Sequence, residues 1–274
     1  MLQTIDDITF KIKKEFDFSF LHRYGKVFKV FDDQDSGNIC FGVDDGSRKL
    51  FIKFAGAEPA EYEGAPCDAV KRLRDTIPLY RDIASSYLIK YIGSEEVAGG
   101  LALIFTWAEG KCMARMYPEG HCSIMGLPTE DKLSVFADII AFMKDIHRQG
   151  YHAVDFYDGS IMYDADTGRT TICDIDFFRK KPCINDMGRM WGSERFLSPE
   201  EYTLGSVLDE VTNVFTLGKM GFSLFTDSDE DESVFPLDKA HYDVLKKASS
   251  ADRADRYPSI EAFEAAWNSG RTVS

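Results

Sequence analysis

The hydrophobic pattern of the chain changes its period partway along, and this change is the feature that most restricts the fold. Five short apolar runs in the first part, several of them flanked by turn-forming residues, are typical of β-strands. These runs are residues 26–31, 38–43, 49–54, 88–93 and 101–107. Beyond Trp107 the apolar residues mostly recur at spacings of three and four, which indicates helices. The sequence therefore predicts a small antiparallel β-rich part joined near Trp107 to a larger helical part.

Helical periodicity is clearest in two segments. In residues 66–84 the apolar side chains recur every three or four positions, and Pro78 is expected to bend or shorten that helix. In residues 129–149, Thr129 is predicted to cap the first turn and Gly150 to end the helix. The two segments predict one main helix in the β-rich part and one long helix in the helical part.

Three further segments have a more ambiguous pattern. The isoleucines of residues 1–20 are spaced by three and four, which predicts a short amphipathic helix packed on its own domain. Residues 160–163 and 170–175 flank the turn DADTGR and predict a short hairpin. Residues 227–233, DSDEDES, are expected to form a solvated acidic loop.

The net charge and the apolar runs of the chain limit which partners and which cellular compartment we expect. Lys and Arg number 32 and Asp and Glu number 46, for a net charge of −14, so nonspecific nucleic-acid binding is not expected. No apolar run approaches the roughly 18–20 residues of a membrane span, and the N-terminal residues have no unbroken apolar core. We therefore expect a cytoplasmic protein that binds neither nucleic acid nor membrane.

The cysteines do not predict a metal site. Six of them occur, at positions 40, 67, 112, 122, 173 and 183. None is part of a Cys-x-x-Cys pair, and no set of Cys and His has the spacing of a zinc site. We expect all six to be reduced thiols.

Several segments carry polar residues next to predicted strands and helices. Lys53 lies on the short apolar strand LFIKF, and IFTWAEG at 104–110 runs from a strand into a turn. The segment HRQGYHAVD follows the long helix and ends at Asp155. ICDIDFF then carries Asp174 and Asp176 at the end of the second hairpin strand.

Two later segments have the most distinctive sequences. GSERFLSPE ends at Glu200, and DRADRYPS contains Arg256. VTNVFTLG lies between them and contains Asn213.

In this order, the segments resemble those of a protein kinase, and the chain is most similar to an atypical, bacterial-type serine/threonine kinase. The resemblance extends over roughly residues 24–267. It implies an α+β fold with two lobes that together form one kinase-like domain. Residues 1–106 would form a small antiparallel β lobe with one main helix, and residues 107–274 a larger, mostly helical lobe. The resemblance also implies that Glu200 and Arg256 form a buried ion pair, since a buried carboxylate without a cation would be costly.

The resemblance implies a binding site for ATP in the first part of the chain. Lys53 would hold the α- and β-phosphates, and Asp75 on the main helix would pair with Lys53. Phe105 would close the rear of the adenine pocket. The backbone from Thr106 through Trp107 to Ala108 would bind the adenine edge, and the ribose would be bound by Glu109.

The resemblance also implies the residues for phosphoryl transfer. Asp155 would orient the acceptor hydroxyl and take its proton, and Asp174 would bind Mg²⁺. Ser160 and Asp176 are further metal-ligand candidates, since hydroxyl and carboxylate oxygens suit Mg²⁺. An ungapped alignment favours Asp174 over Asp176 as the main ligand, and the assignment of Asp176 stays open.

Several residues depart from the kinase pattern. The loop 32–37 has one glycine and three carboxylates where kinases have a glycine-rich loop, and Ala153 and Val154 replace the usual His-Arg pair. Tyr157 replaces a lysine, and Ser160 replaces an asparagine. The favoured function is ATP-dependent phosphorylation of Ser or Thr in a protein substrate. A pseudokinase with little turnover and a small-molecule phosphotransferase of the aminoglycoside or choline kinase type remain alternatives, and the oligomeric state is open.

Overall fold

The computed structural model describes residues 1–33 and 35–270, and it has the predicted α+β class. The chain divides into two compact units. The first contains residues 1–82 and 89–108, and the second contains residues 83–88 and the chain from 109 onward. The boundary predicted from the sequence lies two residues earlier, between residues 106 and 107.

The first unit is built on a five-stranded antiparallel sheet with one long helix. The elements of this unit are β1 (Leu2–Ile5), β2 (Ile8–Lys11), β3 (Lys26–Phe31), β4 (Asn38–Asp44), β5 (Lys49–Ala55), α1 (Pro66–Asp82), β6 (Tyr91–Val97) and β7 (Gly100–Thr106). The strands of the sheet lie in the order β3-β4-β5-β7-β6, so β1 and β2 are outside it. The predicted strands are confirmed to within a residue, except that β6 begins three residues later and extends to Val97.

The prediction of a helix in residues 1–20 is wrong. β1 and β2 form a hairpin in which Ile5 pairs with Ile8, and Asp6 and Asp7 turn the chain with φ of 47° and 72°. Isoleucines three apart fit a two-residue hairpin turn as well as a helix, and Asp tolerates the left-handed region. The residues after the hairpin then pack in an alternating pattern on the sheet through the rings of Phe16, Phe18 and Phe20, all near Phe54.

The second unit is mostly helical, with short strands between the helices. Its elements are β8 (Lys111–Cys112), α2 (Pro118–Met125), α3 (Thr129–Arg148), β9 (Tyr151–His152), β10 (Ile161–Asp164), β11 (Arg169–Ile172), β12 (Arg179–Lys180), β13 (Cys183–Ile184), β14 (Val207–Leu208), α4 (Glu210–Thr226), α5 (Lys239–Ala248) and α6 (Ile260–Ser269). Aromatic rings of α3, α4 and α6 meet in its core, where Phe136 lies 4.9 Å from Trp267 and 5.9 Å from Phe225.

The long helix and the hairpin of this unit differ from prediction at their ends. Thr129 is the first helical residue of α3 and Pro128 is its cap, without a side-chain hydrogen bond, so the prediction of Thr129 as N-cap is wrong. The hairpin of β10 and β11 is present, but β11 ends at Ile172 and not at Ile175. It ends early because Asp174 has a φ of 51°, which a strand cannot continue through.

The predicted pair of Glu200 and Arg256 is confirmed. Both residues are buried, and Arg256 donates from Nη1 and Nη2 to the two carboxylate oxygens at 2.7 and 3.0 Å. Arg253 Nη1 and the Thr212 hydroxyl donate to the same carboxylate at 2.8 and 2.9 Å. Although burial acts in the opposite direction, these hydrogen bonds lower the pKa of Glu200 to about 2. The carboxylate is therefore ionised and held by four hydrogen bonds from three side chains.

None of the helices in the described residues combines the length and the apolar character that a membrane crossing requires.

Candidate functional site

Lys53 lies in the middle of the first unit's sheet. It is on β5, opposite Cys40 of β4 and Leu103 of β7, and its side chain is buried. Ile52 and Phe54 on either side are buried as well, so both faces of the strand are covered here. A lysine with so little exposed surface needs polar partners for its ammonium group.

The structure does not support Asp75 as the partner of Lys53. On α1 the buried side chains are those of Ala69, Leu73, Thr76 and Tyr80, which form the face toward the sheet. Asp75 is exposed, one position away from that face. Because neighbouring residues on a helix point about 100° apart, an error of one position moves a side chain off the buried face.

The predicted adenine-binding segment begins at the end of β7. The ring of Phe105 is buried, 4.7 Å from that of Tyr80 and 5.6 Å from that of Tyr91. The Thr106 and Trp107 amides donate to the carbonyls of Lys90 and Lys49 within the first unit. Adenine would therefore have to use other backbone groups of this segment, such as those at Ala108. Glu109, the predicted ribose ligand, is exposed at the start of the second unit.

Asp155 and Asp174, the predicted base and metal ligand, share an unusual backbone conformation. Their φ angles are 57° and 51°. Non-glycine residues rarely adopt this region outside turns, and when they do, the strain is often associated with a functional site. Both aspartates are only partly buried, so solvent and ligands can reach them. The two residues singled out from the sequence thus have the local geometry expected of functional positions.

The partly buried Tyr157 is subject to the charge of both aspartates. Burial raises the pKa of its hydroxyl, and the negative charges of Asp174 and Asp155 raise it further. Tyr157 therefore stays protonated and can donate a hydrogen bond, but it cannot supply the positive charge of the lysine it replaces.

Ser160, two positions after Asp158, is hydrogen-bonded to the segment that contains Asp174. The amide of Cys173, which precedes Asp174, donates to the carbonyl of Ser160 at 2.8 Å. Both Ser160 and Asp158 are buried, and neither the Ser160 hydroxyl nor Asp158 Oδ1 has a hydrogen-bond partner among the described residues. Asp158 Oδ2 accepts from Arg195 at 2.6 Å. This set offers oxygen atoms of the kind that Mg²⁺ prefers.

The possible metal ligands of the site are few. Among the described residues, no group of three or more His, Cys, Asp or Glu side chains is arranged to hold a metal ion. Mg²⁺ bound by one or two carboxylates and by substrate phosphates needs no such group. Asp176, the other candidate ligand, is partly buried two residues after Asp174.

Asn213 holds the segment that leads to Asp155. Its side chain accepts from the amide of Ala153 at 3.2 Å and donates to the carbonyl of the same residue at 2.9 Å. Asn213 is buried on α4, the long central helix of the second unit. Two hydrogen bonds from one rigid helix fix the backbone two residues before Asp155, so Asn213 acts as a positioning residue.

A small cavity opens beside Asp155. Its polar lining includes Asp155, Ser193, Glu201 and Thr216. Glu201 is buried and accepts from the amide and the hydroxyl of Ser198. Burial raises the pKa of Glu201 to about 7, more than these hydrogen bonds lower it. Glu201, which lines the same cavity as the predicted base, can therefore gain or lose a proton near neutral pH.

The Glu201 side chain should make stability depend on pH. A free glutamate has a pKa of 4.5, and burial raises that of Glu201 in the fold to about 7. Below pH 4.5 the folded and the unfolded states both hold the proton and this group stabilises the fold by about 3 kcal/mol, a contribution that is lost as the pH rises from 4.5 to 7. We expect Glu201→Gln, which cannot titrate, to flatten the decline in melting temperature between pH 4.5 and 7. Identical pH profiles for the two proteins would show that Glu201 ionises normally.

Sequence reasoning missed several residues of this site. Arg195 was not recognised as the partner of Asp158, because the two are 37 positions apart and neither segment signals the other. Arg253 was missed although DRADR contains two arginines, both of which bind Glu200. The second arginine in this short segment was the sequence signal that could have identified Arg253.

Comparison with known proteins adds no identification. No protein-family model matches the chain, and a search of curated proteins also finds no match. Any function must therefore be argued from the residues described above.

Proposed function

We propose that the chain is an atypical serine/threonine protein kinase with a two-lobed fold, which transfers the γ-phosphate of ATP to a protein substrate. The observation that carries this proposal is that the segment of Asp155 and the segment of Asp174, each with a left-handed backbone at its aspartate, are joined by the hydrogen bond from the Cys173 amide to the Ser160 carbonyl. Phosphoryl transfer needs a carboxylate to orient the acceptor and another to hold the metal. These two aspartates would supply the two carboxylates.

Each residue has a role in this proposal. Asp155 orients the acceptor hydroxyl and takes its proton, and Asn213 keeps the preceding backbone in place. The ammonium of Lys53, a buried residue, holds the α- and β-phosphates. Tyr157 donates a hydrogen bond toward the reacting phosphate or its carboxylate neighbours, where a kinase of the common type has a lysine.

Mg²⁺ is the implied metal, and the oxygen atoms near Asp174 fit it. The Asp174 carboxylate and the unpartnered hydroxyl of Ser160 would hold the ion, with Asp176 as the alternative carboxylate. Bound there, the ion would neutralise charge on the β- and γ-phosphates of ATP. The buried Asp158 is less suited because Arg195 already occupies one of its oxygens.

A pseudokinase is the second candidate, and the burial of the metal-binding positions favours it. Ser160 and Asp158 have almost no exposed surface, so their oxygens reach a ligand only if the surrounding chain adjusts. Nucleotide binding without turnover would follow if it does not. A small-molecule phosphotransferase is less favoured, because the pair of Glu200 and Arg256 belongs to the protein kinase pattern.

Phosphate transfer with isotopically labelled ATP tests the proposal. The full chain is incubated with Mg²⁺ and labelled ATP, alone, with a mixture of unfolded proteins, and with small alcohols and amino sugars. Label on Ser or Thr of protein supports the proposal. Binding of Mg-ATP without transfer to any acceptor supports the pseudokinase, and label only on a small molecule supports the third function.

A further inference from the structure

The cavity beside Asp155 has a second carboxylate in its wall. Asp155 and Glu201 both line it, together with the hydroxyl residues Ser193 and Thr216. Its volume is about 10 Å³. That is room for roughly one water molecule, which needs about two to four polar partners when it is buried. The cavity therefore has both the size and the polar lining of a site for one water molecule.

The side chain of Asp155 lies at the edge of this cavity. Gly192 is another residue of the cavity wall, and a Cβ placed on it would lie 3.5 Å from Asp155 Oδ1. The same Cβ would lie 2.9 Å from the side chain of Leu197, which is buried and also lines the cavity. The predicted base thus reaches the cavity with a carboxylate oxygen, next to apolar side chain that keeps bulk water away.

Glu201 has one carboxylate oxygen left for a ligand in the cavity. The residue is 3% exposed. Its Oε2 accepts both hydrogen bonds from Ser198, at 2.7 Å from the amide and 2.9 Å from the hydroxyl. Oε1 has no hydrogen-bond partner among the described residues. Because a buried carboxylate oxygen without a donor is costly, a water molecule in the cavity would stabilise Glu201.

The groups around Glu201 favour a proton on it. Burial raises its pKa to about 7, and the charge of Glu200 acts in the same direction. The hydrogen bonds from Ser198 and the charge of Arg256 act in the opposite direction. Asp155 is the carboxylate that shares the cavity with it. The other charged groups of the neighbouring segments are in ion pairs, which are Arg189 with Glu194, Arg195 with Asp158, and Arg253 with Glu200 and Asp209.

We propose that Glu201 receives the proton that Asp155 takes from the acceptor hydroxyl, through one water molecule held in the cavity that both residues line. This inference rests on the proposed function and adds a further residue to its proton path. Glu201 acts through Asp155 and does not touch the substrate. The relay returns Asp155 to its charged form while bound substrate still excludes bulk water.

The proton transfers along this path balance. The acceptor oxygen forms a bond to the γ-phosphorus as the bond from that phosphorus to the ADP oxygen breaks, and the hydroxyl proton passes to Asp155. The water takes this proton and gives one of its own to Glu201 Oε1. Glu201 must therefore be ionised beforehand, and it releases the proton to solvent afterwards. Since its pKa is about 7, transfer should become faster as the pH rises through neutrality.

Carbon-13 NMR of the carboxyl groups in the full chain tests the shared cavity without requiring catalysis. Two carboxylates joined by one water lie roughly 5–6 Å apart, so each charge should raise the pKa of the other by about 0.5 or more. We therefore expect the pKa of Glu201 to fall by at least about 0.5 in Asp155→Asn. Asp176→Asn removes a partly buried aspartate that is not among the residues lining the cavity, and it should leave the pKa of Glu201 unchanged.

The pH dependence of phosphoryl transfer tests the relay itself. In single-turnover kinetics, we expect the wild-type rate to rise with a pKa near 7. Glu201→Gln cannot take a proton, so its rate should equal that of the wild type at about pH 5.5 and be at least about tenfold lower at about pH 8.5. A purely structural role of Glu201 would lower the rate by the same factor at every pH.

Two controls accompany this measurement. Glutamine keeps a carbonyl oxygen for the hydrogen bonds from Ser198, so Glu201→Gln should fold, which a thermal melt checks. Glu264→Gln changes a partly buried glutamate on α6 that is not among the residues lining the cavity. Its rate should follow that of the wild type at both pH values.

The outcomes separate this inference from the proposed function. An unchanged Glu201 pKa in Asp155→Asn overturns the inference even if the chain phosphorylates proteins, and so does a Glu201→Gln rate that is lower by one factor at every pH. A lowered pKa together with a loss of rate confined to high pH supports it. A lowered pKa in a wild type that transfers no phosphate overturns the proposed function and the relay with it, and leaves the two carboxylates as a coupled pair.

Discussion

Arg256→Ala is expected to destabilise the second unit by about 3–5 kcal/mol, because it removes the main cation from a buried carboxylate. The Arg256 side chain is fully buried, and Glu200 is 7 % exposed. The guanidinium also donates to the carbonyls of Ser250 and Ala251 and lies 4.8 Å from the ring centre of Phe215. The substitution therefore leaves several acceptors without a donor as well as a cavity beside an aromatic ring.

The neighbouring arginine provides a matched control. Arg253 contacts the same carboxylate, but a third of its side chain is exposed, and it also pairs with Asp209 near the surface. Water can replace such a cation, so Arg253→Ala should destabilise the protein clearly less than Arg256→Ala. Chemical denaturation of the two variants measures the difference. Equal losses, or no loss for Arg256→Ala, would show that the Glu200 carboxylate is not held as described.

Asp174→Asn is expected to reduce Mg²⁺-dependent phosphoryl transfer at least about a hundredfold, or about 2.7 kcal/mol of barrier. A neutral amide binds Mg²⁺ far less well than a carboxylate, so the charge between the β- and γ-phosphates would not be neutralised. The nearby Asp155 and Tyr157 cannot replace it, since the former is assigned to the acceptor and the latter stays protonated.

Asp176→Asn is the control for this prediction. Asp176 is also a partly buried aspartate, two positions later, so the same change is made in nearly the same place. We expect it to retain most of the transfer rate, measured by single-turnover kinetics at several Mg²⁺ concentrations. If Asp176→Asn abolishes transfer and Asp174→Asn does not, the alignment of this segment is shifted by two residues.

The sheet of the first unit could be predicted because two independent signals agreed. The runs at 26–31, 38–43 and 49–54 have strand composition, and the segments between them have turn composition. The resulting strands are antiparallel neighbours, as a meander requires. The hairpin at residues 2–11 was missed because its isoleucines are spaced as in an amphipathic helix and its strands are only four residues long. The alternating phenylalanines that follow it were the sequence signal for an extended chain in this region.

The candidate site was predictable where its residues lie close together in sequence. Asp155 and Asp174 each stand in a recognisable segment, and their left-handed backbone could not be anticipated, because it depends on the contacts of the folded chain. The pair of Arg195 and Asp158 joins distant segments, and no pattern in either segment indicates it. The position of Asp75 depended on counting along a helix, where one residue decides which face is occupied.

The role of Asp155 as the catalytic base is tested by measuring phosphoryl transfer and nucleotide binding in the variant Asp155→Asn. This variant should bind Mg-ATP about as well as the wild type, since the proposed ATP contacts are made by other residues. Transfer to a Ser or Thr acceptor should be slower by at least about a hundredfold, because the amide cannot accept the proton. A variant that transfers phosphate at the wild-type rate would contradict the account, and Asp155 would then have no part in the chemistry.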